Sequence, residues 1–204
     1  MILCGIIAGA LIISAINFYT GFSIFGNNRD NDVSADDPPG AELTRLAYSV
    51  LKYIKDEDFL ALSRIVHPEF GVVFSPYATI NLTTDRRFND TQIAALGTDT
   101  TVYVWGVYNG SGRPIELTPA EYFSQFVSAA DYMDAVIIGI NQIVRSGNAL
   151  ENMTDVFPNV KFVDFHIPGN EPAEELEWTS LRLGFEEHNG NLRLIAIVYS
   201  AWSV

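Results

Sequence analysis

The sequence predicts an α+β domain in which helices come first and pack on a mostly antiparallel sheet. Three observations carry that reading. An apolar stripe at three- and four-residue spacing runs through residues 43–54, capping residues announce several short helices, and long segments rich in Val, Ile, Phe, Tyr and Trp fill the C-terminal half. Helices followed by strands favour α+β over the regular βαβ alternation of a parallel sheet.

Taken in order, residues 1–26 are almost wholly apolar from Ile2 to Ile16 and resume with Phe18, Tyr19, Phe22, Ile24 and Phe25. A run of that length spans a bilayer, so we expect one N-terminal transmembrane helix. A cleaved signal peptide is the alternative, but a basic first segment is missing and the small-x-small site Ala8-Gly9-Ala10 falls early. Cys4 lacks the preceding apolar run and small residue of a lipid-attachment site. Residues 27–37, with Asp30, Asp32, Asp36 and Asp37 against one Arg, read as a polar linker. Basic residues gather on the cytoplasmic side, so this acidic flank places the domain at 38–204 outside the cytoplasm, held to the cell membrane.

Within that domain Asp37-Pro38 starts a helix whose buried face is Leu43, Leu46, Ala47, Val50, Leu51 and Ile54. A second helix is expected at 57–66, ended by His67-Pro68. Three more follow from caps: Asn89 with Gln92, Thr118 with Glu121, and Asn148 with Glu151. Strand character marks 71–77, 101–108, 135–144, 160–167, 178–186 and 192–202. Asn189-Gly190 suits a two-residue hairpin between the last two. In the final strand Leu194, Ala196, Val198 and Trp202 alternate with Ile195, Ile197 and Tyr199, so both faces are apolar and the strand should be central. Aligning apolar with apolar across 160–167 and 178–186 sets a register: Phe165 with Leu181, Val163 with Leu183, and on the other face Asp164 with Arg182 and His166 with Ser180. That second face is expected to be solvated, with an anion site at Arg182 as the alternative.

Composition removes several chemistries. The net charge is −13 and the pI about 4.4, with twelve scattered Lys and Arg, which argues against a nucleic-acid surface. The single cysteine lies in the apolar N-terminus, so residues 38–204 hold no disulfide, zinc thiolate or cysteine nucleophile. Neither His-x3-His nor a compact acidic loop with the required glycine occurs, so no metal and no cofactor is expected. Asn109-Gly110-Ser111-Gly112 reads as a turn between extended segments, not a phosphate cradle. Four sequons, at Asn81, Asn89, Asn109 and Asn152, are compatible with export.

The block His67-Pro68-Glu69-Phe70-Gly71-Val72-Val73-Phe74-Ser75-Pro76-Tyr77, then Trp105-Gly106, Glu121-Tyr122, Phe157-Pro158, Ser180-Leu181-Arg182-Leu183 and Trp202, resembles an uncharacterised family of bacterial secreted lipoproteins and membrane-tethered proteins. Members tend to end in His-Asp-Gln-Trp, where this chain has Tyr199-Ser200-Ala201-Trp202; a catalytic His-Asp pair there would be absent. The element order is also similar to the nuclear transport factor 2-like cone, which implies helices on a curved sheet and hosts ketosteroid isomerases, polyketide cyclases and many non-enzymatic modules. That architecture assigns no function by itself.

The candidate site residues follow from side-chain chemistry. His67, Tyr122 and Asp131 are the candidates for acid–base work, a ketosteroid-isomerase-like site needing a carboxylate and a phenol facing each other. His67 equally caps the end of its helix. His166 is expected to be solvated or to pair across its hairpin, and His188 to be solvated in its turn. Tyr77, Trp105, Tyr122, Phe126, Tyr132, Arg182 and Trp202 could line an apolar pocket with polar tips, or form plain core. The leading expectation is a tethered, non-catalytic extracytoplasmic domain that binds a small ligand or a partner protein. The rivals are an isomerase, cyclase or dehydratase with a buried acid–base pocket, and a structural module that forms a homodimer or joins an envelope assembly.

Overall fold

A computed structural model describes residues 40–169 and 176–202. The expected anchor at 1–26 and linker at 27–37 lie outside them, and no helix among the described residues is long and apolar enough to cross a membrane.

Helix α1, Ala41–Lys55, starts behind Gly40, whose φ of 87° breaks the chain direction just before it. Its stripe buries Leu43, Ala47, Val50, Leu51 and Ile54, as the spacing requires. Helix α2, Phe59–Ser63, is capped by Asp58, which accepts from the Ala61 N–H at 2.9 Å. It stops three residues short of the expected end at 66 because the backbone is taken by the sheet: Leu194 donates to the Ile65 carbonyl at 2.7 Å and His67 to the Leu194 carbonyl at 2.9 Å.

Strand β1, Val72–Ser75, is wholly buried, and β2, Arg86–Phe88, pairs with it antiparallel. Gly71 at their junction has φ 82°, and a Cβ there would lie 2.3 Å from the Phe88 carbonyl oxygen, so only glycine fits. Helix α3, Asp90–Ala95, has the full Asn89/Gln92 capping box. Strands β3, Tyr103–Val107, and β4, Pro114–Leu117, form a separate hairpin. Helix α4, Pro119–Tyr122, has the Thr118/Glu121 capping box with proline at its start, and runs on as a π-helical turn over Phe123–Val127. Strand β5, Ile137–Ile140, helix α5, Met153–Val156, and strands β6, Lys161–Ile167, β7, Thr179–His188, and β8, Asn191–Ala201, complete the chain.

The sheet is curved and mostly antiparallel, in the order β2-β1-β8-β7-β6-β5; only β1 and β8 run parallel. The β6–β7 register is the expected one, including Asp164 opposite Arg182 and His166 opposite Ser180. Strand β8 is central and covered on both sides.

Three expectations need correction. The Asn148/Glu151 cap starts no helix: 141–152 crosses the outer sheet face as an irregular strap, and α5 begins only at Met153. Tertiary bonds override the local signal, since Asn152 grips both backbone groups of Ile80 (2.8 and 2.9 Å) and the Leu150 carbonyl accepts from Thr79 at 2.7 Å. Strict alternation in β8 also fails. A bulge sets Gly184 opposite Ala196 and Phe185 opposite Leu194, so Ile195 is the extra residue; Leu194 joins Ile197 on the helix side while Ile195 joins Ala196 and Val198 outside. Finally, the polar face of β6–β7 is not solvated: the strap buries Asp164, His166, Ser180 and Arg182 to 3% exposure or less.

Candidate functional site

The residues singled out above are scattered over the domain. Trp105, Tyr122 and Phe126 pack into the interior, where Tyr122 stacks on Trp105 at 3.9 Å between ring centres and Phe126 bridges Tyr122 and Tyr199. Trp105 spends its N–H on the Leu117 carbonyl at 2.8 Å. Burial pushes the Tyr122 hydroxyl well above the usual range, and the Asp85 carboxylate and Tyr77 add to that. Tyr77 sits half-buried at the rim of this cluster and accepts from the Asn109 N–H at 3.4 Å.

Arg182 lies on the opposite face of the sheet, at the centre of a buried charge cluster. Its Nε donates to Asp164 at 3.1 Å, one terminal nitrogen to Glu151 and the other to the Arg145 carbonyl at 3.0 Å. Asp164 also accepts from the Val144 N–H at 2.9 Å. All these partners are internal, so this guanidinium clamps the strap. His166 and Ser180, 2.9 Å apart, make an interior hydrogen bond in the same layer. Burial leads in lowering the His166 pKa, with Asp164 opposing it. His67 accepts the Glu69 and Phe70 N–H groups on Nδ1 (3.3 and 3.1 Å), capping the turn after Pro68, and its ring meets that of half-buried His188 at 5.0 Å. Trp202 is 42% exposed at the end of β8.

Among the described residues, Asp131 and Tyr132 line a depression of useful size. A groove of about 430 Å³ opens at the C-terminal end of α1, walled by Leu51, Ile54, Val127, Ala130, Tyr132 and Met133, with Lys55, Asp131 and Ser128 along it. A second, of about 310 Å³, is lined by Phe59, Leu96, Pro119 and Phe123 and shares Ile54, Glu57 and Ser128 with the first. Each falls in the size range of small-molecule sites. The π-helical turn supplies Phe123 and Val127, one to each depression. Its widened backbone, with Ser128 donating to the Phe123 carbonyl at 2.7 Å, departs from the α-helical ladder where the two meet.

The groove is electrostatically definite. Lys55 donates to Asp131 at 2.6 Å across 76 residues of sequence. That hydrogen bond is the main reason the Asp131 carboxyl lies below its usual range and the Lys55 amine above its own. Both groups therefore stay ionised around neutrality, and neither is poised to exchange a proton there. Lys52 is likewise paired with Asp56. Glu57 closes α1 in the left-handed region at φ 54°, where a β-carbon costs about 1 kcal/mol and glycine is usual.

Lys55, Glu57, Phe59 and Phe123 did not stand out in the sequence. They come together only through the fold, at the C-terminal end of α1 and the π-helical turn. Among the described residues no group of three or more His, Cys, Asp or Glu is placed to hold a metal ion. Compared with known proteins, the chain matches no family model, no curated protein and no solved structure.

Proposed function

We propose that this chain is a membrane-tethered, extracytoplasmic binding domain that takes a small amphipathic ligand in the groove beside the C-terminal end of α1, without catalysing its conversion. The carrying observation is the Lys55–Asp131 pair. It holds Lys55 and Asp131 of a largely apolar groove as ions, which suits recognition and leaves that pair unfit for proton transfer. The candidates for acid–base work are also dispersed: Tyr122 is in the interior, His67 caps a turn, and Asp131 alone lines the groove. This weighs against the isomerase-like reading. The apolar run at 1–26 and the acidic flank after it support the tether and its outward orientation. Helices on a curved sheet are in keeping with the nuclear transport factor 2-like cone, and the 67–77 block resembles a family of tethered lipoproteins.

The test is native mass spectrometry of the full chain in lipid nanodiscs, beside Ala130→Trp, which fills the first depression. A bound small molecule present in the parent and lost from a variant that melts at the same temperature is the expected result. The same bound mass in both would place the ligand elsewhere and defeat the assignment.

A further inference from the structure

The ligand class can be read from the charge left over in the groove. Each neighbouring cation already has its acid: Lys55 is held by Asp131 and Lys52 by Asp56. Glu57 is the exception. It is exposed, lines both depressions, and its carboxylate makes no ion pair or side-chain hydrogen bond among the described residues. It also sits just past the C-terminal end of a fifteen-residue helix, where the last carbonyls present partial negative charge. The backbone there is fixed, since Asp58 donates to the Tyr53 carbonyl at 2.8 Å and Phe59 to the Glu57 carbonyl at 2.9 Å. Beside it stand Phe59 and Phe123, edge to face at 5.4 Å, offering aromatic carbon of the kind that organic cations favour.

We infer that the groove binds an organic cation: an ammonium group held at Glu57, where the two depressions meet, with an apolar chain lying along Ile54 and Val127 or Leu96. A carboxylate and a helix C-terminus both attract positive charge, and the net charge of −13 raises the local concentration of cations over anions. An anionic amphiphile meets the opposite: among the described residues the only cation lining the groove, Lys55, is already neutralised by Asp131. The unfavourable backbone of Glu57 fits this role, because glycine would close the helix at lower cost but bring no charge.

The inference rests on the groove reading above, and one experiment separates the two. Hexyltrimethylammonium, hexyl glucoside and hexyl sulfate, matched in chain length, are titrated against the full chain in nanodiscs while the methyl resonances of Ile54 and Met133 are followed. The cation is expected to bind most tightly, with an advantage over the glucoside of about fivefold, the size of one exposed ionic contact. Glu57→Gln should remove that advantage and leave the glucoside unchanged. Equal binding of all three, or an advantage that survives Glu57→Gln, overturns the cation assignment and leaves the groove standing. Failure of all three to move either methyl overturns both.

Discussion

The two faces of the central strands are buried equally well and by different physics. On the helix side Val163, Phe165, Leu181, Leu183 and Ile197 share one apolar core with the stripe of α1, and nothing there depends on direction. On the strap side the same strands present Asp164, His166, Ser180 and Arg182, each at most 3% exposed. Apolar packing tolerates small shifts, because dispersion and water release have no preferred angle. The strap has no such tolerance: one guanidinium joins β6, β7 and two points of 141–152, and its partners fix where that segment lies. The inner face supplies cohesion, and the outer face supplies position.

Removing the hub tests that contrast most severely. Arg182→Ala leaves the Asp164 and Glu151 carboxylates buried without their cation, and we expect a loss of about 3–5 kcal/mol by chemical denaturation. Amide exchange should rise across 141–152 before it rises in α1. Uniform loosening of both faces would mean that the strap carries no separate constraint.

Leu183→Ala, on the inner face beside it, should cost about 3 kcal/mol through lost transfer energy and a residual cavity. Here exchange should rise throughout, with no preference for the strap. A strap-selective response to this change would show the two faces to be coupled.

The smallest effect is one of pH. Burial, opposed in part by Arg182, raises the Glu151 pKa above its ordinary 4.5. The folded state then holds its proton more tightly than the unfolded chain, so this group's contribution to stability falls as pH rises from about 4.5 through the raised folded value. Glu151→Gln should flatten that decline, and melting temperatures at pH 5 and 8 for both proteins measure it. A steeper decline in the variant would show that the attraction of Arg182 outweighs the cost of burial.

How much could be read from the sequence follows from the same contrast. The α1 stripe, the Asn189-Gly190 hairpin, two capping boxes and the β6–β7 register were legible because each is a local pattern or a period-two match. Strands β2 and β4, of three and four residues, are too short to show alternation. The bulge at Ile195 left no mark, since both faces of β8 are apolar on either side of it. Burial of the strap side was misread because alternating charged residues usually mean solvent. The groove was half legible: Asp131 and Tyr132 were named, but Lys55 reaches Asp131 only through the fold.

Among the described residues, strand β5 has a strand neighbour on one side only. At the other margin β2 carries Arg86 and Arg87, with Arg86 donating to the Val104 carbonyl and Arg87 lying over the Phe70 ring. The segment Ala135 to Ile140 has no charge, proline or bulge, and Val136, Ile137 and Ile140 are exposed. Such a margin invites the same margin of another molecule. At neutral pH such a contact is opposed by long-range repulsion between chains of charge −13, a property of the entire molecule and not of the strand. The safeguard is conditional. As acidification approaches the pI near 4.4 the repulsion fades while the margin is unchanged, so colloidal stability in this protein is set by carboxylates far from the place that needs it.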